Sequence, residues 1–202
     1  MSVLNFILRF TVPLSLILAF EELFLRTSVP YLYESSLLGF ERAFGLVIFL
    51  NVVVAAYTVI SISFAVSKAR EVAKEEALAD EICCFWPFLF DPHREERYSY
   101  PKAYAEGFSR HAKKFNCAQR AHQQTMETYP TFVFCSLVGA MAFPVTTALA
   151  GFVWSYSRQV WSKGYQSGNP SHRYSHWTAF HIWTSLLAVI FAAAVTSVKF
   201  FL

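Results

Sequence analysis

Charge is scarce in this chain. Of its 202 residues 15% are charged, against about 25% in an ordinary soluble domain. Glycine and cysteine are scarce too, at seven and four residues. Cys83, Cys84, Cys117 and Cys135 show no metal-ligand spacing, and the adjacent pair would close a strained ring if joined. Neither a metal centre nor a disulfide framework is expected. No glycine-rich phosphate loop, basic repeat or low-complexity tract is present, and the formal net charge of +3 is too small to argue for a nucleic-acid partner.

What the chain has instead is apolar surface. It is 55% hydrophobic and 18% aromatic, with 21 phenylalanines, more than a soluble surface tolerates. The apolar residues fall in long uncharged runs: Ala43 to Ser67 (25 residues), Thr131 to Ser157 (27) and Trp177 to Val198 (22). About 20 residues cross the hydrocarbon core as a helix. Phe143-Pro144 splits the middle run into two pieces, each too short to cross alone. The first needs the polar stretch 116–130 to complete it, and the second needs residues down to about Tyr165. Residues 3–25 hold Arg9, Pro13, Glu21 and Glu22, which leaves an uncharged core, Phe10 to Phe20, of 11 residues. That length is marginal for spanning and also resembles a signal peptide. The segment is read as an extra helix, spanning or lying in the interface.

The expected organisation is all-α, with helices at about 3–25, 39–80, 112–142, 145–166 and 173–201. Residues 68–81 are strong helix formers and extend the second of these. The stretch 68–115 holds nine of the 17 basic residues, and the end of the 145–166 helix with the connection to the next adds Arg158, Lys163 and Arg173; the Met141–Thr147 turn has none. Four spans put both basic loops on one side, which the positive-inside rule assigns to the cytoplasm or a matrix. The same long loop carries nine acidic residues, which weakens the rule. CCFWPFLFDP, Cys83 to Pro92, is aromatic and broken by Pro87, as suits anchoring at headgroup level or packing on a partner; acylation of its cysteines is a further alternative.

Charge returns where an apolar segment begins. FNCAQRAHQQTMETYP, Phe115 to Pro130, carries an arginine, a histidine, three glutamines and a glutamate before TFVFCSLVGAMAF. At about 100° per residue, Arg120, Gln124 and Glu127 form one stripe. An arginine at the middle of a span costs about 2.5–3.5 kcal/mol on insertion scales. Such groups face a bundle interior or a wet cavity and mark a site by default. Two readings stay open: a structural Arg120–Glu127 ion pair near the membrane edge, or a pocket for a charged polar ligand. The segment SRQVWSKGYQSGNPSHR, Ser157 to Arg173, ends the next helix on the same basic side. It adds Arg158, Trp161 and Tyr165 (the last two four apart on one face), Gly164 for close approach, a Gly168-Asn169-Pro170 turn, and Arg173. Three arginines, one carboxylate and one phenol suit a zwitterionic ligand with carboxylates and an amine. His172 and His176 lack a third metal ligand. His181 reads as a helix–helix hydrogen-bond partner, His93 and His111 as loop or interface residues, and Cys117 and Cys135 as packing between helices.

FNCAQRAHQQTMETYP resembles the second-helix motif of the MAPEG family, the membrane-associated proteins of eicosanoid and glutathione metabolism. GYQSGNPSHR resembles that family's end of helix three, and ISFAVSKAR, Ile62 to Arg70, its end of helix one. Within the family the likeness is to the microsomal glutathione S-transferases of the third type, over about residues 40–70 and 100–200. The resemblance implies a four-helix membrane bundle over 39–202, with an insert at about 71–100 and an N-terminal hydrophobic extension over 1–38. It implies a homotrimer that holds glutathione as co-substrate between protomers, with Arg120 and Glu127 on the charged ends of the tripeptide, Gln124 in the place of a common asparagine, Tyr165 in contact with the tripeptide and Arg158 as a further binding residue. Arg173, or else His172, would stand where an arginine stabilises the thiolate, and Arg70 where one assists the second substrate. The implied activity is that of a glutathione transferase or peroxidase acting on lipophilic electrophiles or lipid hydroperoxides beside membrane lipids. The implied membrane is that of the endoplasmic reticulum, with a mitochondrial or plastid membrane as the alternative.

Four departures bear on that expectation. Gln124 is one methylene longer than asparagine, and Trp161 replaces a usual tyrosine. The Glu71–Tyr100 region and residues 1–38 have no counterpart in compact members. The two additions motivate a second reading, a non-catalytic accessory subunit docked by its extensions among unlike subunits of a membrane complex. A lipid-binding regulator without turnover is a third; retention of both Arg120 and Arg173 weighs against it.

Overall fold

The computed structural model describes residues 3–82, 103–105 and 109–202, with side chains described from residue 9 to 76 and throughout the later stretches. The Cys83–Pro92 segment and His93 lie outside the described residues. Among the described residues the chain is helical and contains no strand; Ser35 and Glu41 form one isolated bridge.

Among the described residues there are five long helices. Helix α1 (Val3–Phe20) passes through a π-helical turn, Glu21–Leu25, to Arg26–Ser28. It breaks at Val29, whose φ of −132° and ψ of 62° are non-helical, because the next residue is Pro30. A turn with Gly39 at φ +81° reverses the chain. Phe44–Val47 and a π-helical stretch, Ile48–Val54, then lead into α2 (Ala55–Ile82). Helices α3 (Arg110–Gly139) and α4 (Pro144–Gln166) follow, and α5 is His181–Lys199. The break at Pro144 falls where the sequence placed it, with proline at the first helical position, where its missing N–H costs nothing.

Two expectations need correction. The last helix does not start near residue 173. Two short 3-10 turns, Pro170–Tyr174 and Trp177–Phe180, precede α5. The Ser175 hydroxyl bonds the His172 carbonyl at 2.8 Å, and Thr178 bonds the His176 ring at 2.7 Å, so short polar side chains compete with a regular helix there. His111 lies in the first turn of α3, not in a loop, and bonds Glu76 at 3.0 Å.

Among the described residues, two helices are long and apolar enough to cross a membrane by length and composition, Phe44–Glu76 and Trp177–Lys199. Along the first, Leu46, Phe49, Val53, Tyr57, Ile60 and Phe64 recur at helical spacing and are all exposed. The buried positions of the same helix include Asn51 and Thr58. Apolar residues outside and polar ones inside invert the soluble pattern, as a hydrocarbon solvent demands.

The chain divides into two compact units. The first comprises Met1–Thr58, Thr128–Arg158 and Phe180–Leu202. Its core stacks Phe132 on Trp154, with ring centroids 4.3 Å apart, against Ala55, Leu186 and Val189. Asn51 is fully buried and donates from Nδ2 to Ser136 Oγ at 3.0 Å and to the Thr147 carbonyl at 2.9 Å. Gly151 makes this possible: a Cβ there would lie 1.8 Å from Asn51 Oδ1.

Glu21 is also fully buried in this unit. Its carboxylate accepts the backbone N–H groups of Val145 at 2.9 Å and Thr146 at 2.7 Å, and the Tyr33 hydroxyl at 3.1 Å. The first N–H groups of any helix lack intrahelical partners, and its N-terminal end favours negative charge. Glu21 thus caps α4 from another segment of the chain. Burial, and after it the Glu21 charge, pushes the Tyr33 phenol above its ordinary range. One turn on, Arg26 donates to Glu22, to Glu41 and to the Ala142 carbonyl, the last at 2.8 Å. The N-terminal segment is thereby tied to both sides of the Ala142–Thr146 turn.

The second unit comprises Val59–Glu127 and Gln159–Ala179. Its described core joins Val66 and Ala73 of α2 to Ala112, Phe115 and Ala118 of α3, with Ala105 from the preceding segment. Glu76 reaches His111 at 3.0 Å and Lys114 at 3.4 Å.

Candidate functional site

Six of the seven residues singled out in the sequence, Arg70, Arg120, Gln124, Glu127, Tyr165 and Arg173, belong to the second unit. On α3, Arg120 and Glu127 are two turns apart on one face. Arg120 Nη1 donates to Glu127 Oε1 at 3.1 Å, and the two side chains are 44% and 47% exposed. Gln124 lies between them in the chain, half-buried. An ion pair this exposed is worth about 0–1 kcal/mol, so a ligand that supplies both opposite charges can part it at little cost.

After α4 the chain reverses at Gly168, whose φ is +85°, a conformation that favours glycine. Asn169 Oδ1 accepts the Ser171 N–H at 3.0 Å and starts the following 3-10 turn. A Cβ on Gly164 would lie 2.4 Å from the His172 carbonyl oxygen, so only glycine lets the turn fold back onto α4. The fold-back brings Arg173 Nη1 to 3.4 Å from the Tyr165 hydroxyl, with its guanidinium 5.6 Å from the Tyr165 ring and 5.4 Å from that of Tyr174. His172 bonds Ser167 and Asn169 within the turn. Trp161, buried, packs on Tyr165 with centroids 5.0 Å apart, as their shared face requires.

Arg70 lies over the Phe115 ring at 4.5 Å. Arg158, the seventh residue, belongs to the first unit and is fully buried. It donates to Thr128 Oγ1 at 2.9 Å and lies 5.2 Å from the Trp154 ring. His181 bonds Thr184 on its own helix at 3.2 Å.

Two residues near Arg120 escaped the sequence reading. The Tyr104 hydroxyl bonds Gln123 Oε1 and interacts with the Arg120 guanidinium. Gln123 sits three residues before Glu127's neighbour Met126 and shares the stripe's flank at about −60° from Arg120, which is a legible signal. Tyr104 gives none, because it lies outside α3 and its contact depends on tertiary placement. Two separate groups result: Arg120 with Glu127 and Tyr104, which can bind opposite charges, and Arg173 with Tyr165, a guanidinium beside a phenol.

A chain whose described residues are helical, with two membrane-length apolar helices among them, polar groups turned inward and paired charges on α3, is a membrane protein of helical type. It belongs to the MAPEG family, whose model matches residues 44–195. No solved structure matches the chain.

Proposed function

We propose that this protein is a membrane-bound glutathione transferase or peroxidase acting on lipophilic electrophiles or lipid hydroperoxides. The observation that carries the reading is the half-exposed Arg120–Glu127 pair on α3 within a chain of this family. Its two charges fit the carboxylate and ammonium groups of a tripeptide, which is the test glutathione must pass. Arg120 binds the carboxylate and Glu127 the ammonium group, with Gln124 beside them. Arg173, backed by the Tyr165 hydroxyl at 3.4 Å, faces the sulfur, and Arg70 serves the second substrate.

Glutathione supplies the nucleophile, a thiol of pKa about 8.5, only a few per cent ionised at neutral pH. An arginine beside the sulfur favours the thiolate, and each pKa unit gained is about 1.4 kcal/mol. In conjugation a new C–S bond forms at the electrophile as its leaving group departs with the bonding pair, and the thiol proton passes to solvent. The protomer is a four-helix bundle with an additional N-terminal helix, assembled as a homotrimer in the endoplasmic reticulum membrane, and it resembles the third type of microsomal glutathione S-transferase.

Purified protein should conjugate glutathione to a small aromatic electrophile or reduce a lipid hydroperoxide. Arg173→Ala should lower turnover on the order of a hundredfold, as the loss of one donor to a developing anion does, with glutathione affinity changed little. Wild-type trimer without glutathione binding would refute the proposal.

A second reading is favoured by the N-terminal segment. Glu21 and Arg26 fix it firmly, while Leu16, Leu23 and Phe24 on it stay exposed. A docked extension with an apolar outer face suits an accessory subunit among unlike chains. A single copy per complex, measured by the mass of the intact particle in mild detergent, would favour that reading.

A further inference from the structure

Ala105, in the described stretch before α3, is held by a side chain of that helix. Asn116 Nδ2 donates to the Ala105 carbonyl at 2.9 Å, and Asn116 Oδ1 accepts the Ala105 N–H at 2.8 Å. One side-chain amide thus pairs with both backbone groups of one residue, a task that needs a donor and an acceptor side by side. Ala105 is itself buried in the cluster with Ala112 and Phe115. The residue next to this clasp is Tyr104, and its position on α3 follows from it.

Tyr104 is 41% exposed. Its hydroxyl bonds Gln123 and interacts with Arg120. Arg120, Gln123 and Glu127 are spaced three and four residues apart, so they are neighbours on one helical face. Tyr104 therefore overlies the flank of the Arg120–Glu127 pair. In the structure its O–H group faces a neutral amide oxygen. A ligand carboxylate drawn to Arg120 is a stronger acceptor, because a charged acceptor roughly doubles the strength of a hydrogen bond.

We infer that Tyr104 is a binding residue of the Arg120–Glu127 site, its phenol O–H passing from Gln123 to an anionic oxygen of a small zwitterionic peptide held there. Asn116 is its positioning residue: it touches no ligand and sets where Tyr104 stands. The inference rests on the peptide-binding reading of Arg120 and Glu127, and it adds to that reading a contact from outside the helices. The ligand class it selects has a carboxylate beside its ammonium group; neutral or purely cationic compounds gain nothing from the phenol.

The test is calorimetric titration of the full-length protein in detergent with glutathione, alongside thermal unfolding. Tyr104→Phe keeps the ring and removes only the hydroxyl. It should weaken glutathione binding on the order of tenfold, the usual loss for one hydrogen bond to a charged group, with the unfolding temperature unchanged. Asn116→Ala should weaken binding in the same direction through displacement of Tyr104, and Asn116→Ala combined with Tyr104→Phe should bind no worse than Tyr104→Phe alone. Binding by Tyr104→Phe within twofold of wild type overturns the inference and leaves the Arg120 reading intact. A lowered unfolding temperature without loss of affinity also overturns it. No glutathione binding by the wild type overturns both.

Discussion

Two polar clusters, one in each unit, are built in opposite ways. In the first, Asn51 and Glu21 are fully buried and bond to fixed partners: the Ser136 hydroxyl, the Thr147 carbonyl, the Val145 and Thr146 N–H groups. In the second, Arg120 and Glu127 pair with each other while nearly half exposed. A sealed polar group in an apolar surround costs free energy unless every partner is supplied by the fold, so its role is to specify structure. A paired charge that water still reaches keeps its partners exchangeable, and exchange is what binding requires.

Three substitutions probe that contrast. Glu21→Ala has the largest expected effect. It leaves the Val145 and Thr146 N–H groups without their acceptor, and two such losses cost on the order of 4 kcal/mol. Thermal unfolding in detergent should show the drop, and residual folded protein should bind glutathione as wild type does. A change in affinity at unchanged stability would erase the distinction between the units.

Gly151→Ala comes second. The added methyl would meet Asn51 Oδ1 at 1.8 Å, and overpacking of this kind costs about 1–3 kcal/mol. Pairing it with Asn51→Ala should recover part of the loss, read as a double-mutant cycle on unfolding temperature. Additive losses would show that the two residues do not press on each other.

Arg120→Ala is the smallest in stability and the most informative about function. Removing an exposed ion pair should shift stability by about 0–1 kcal/mol. Loss of a charged contact to the peptide should weaken glutathione binding on the order of tenfold. Equal loss of stability and affinity would make the pair structural, the reading left open at the start.

Much of the fold was legible in the residues. Pro144 marked the break between α3 and α4, and the uncharged runs marked the two membrane-length helices. The stripe of Arg120, Gln124 and Glu127 followed from helical spacing alone, and so did the shared face of Trp161 and Tyr165. Other features were not legible, for one physical reason. Glu21 looked like a liability in a short apolar segment, because its partners lie 124 and 125 residues away. Arg158 looked like a member of the polar edge, because spacing along α4 does not reveal that Trp154 and Thr128 enclose it. The delayed start of α5 was hidden in local hydrogen bonds of Ser175 and His176 that no periodicity records.

The sequence by itself determined what is periodic or punctuated: which segments are helices, where proline divides them, which residues share a helical face, and that the chain lives in a membrane. Tertiary structure alone decided which polar groups are enclosed and which remain open to a ligand. Periodicity is a property of one helix, written in consecutive residues. Enclosure depends on what a second segment brings, as Glu21 does for α4 and Asn116 for Tyr104, and that partner is chosen only when distant parts of the chain meet.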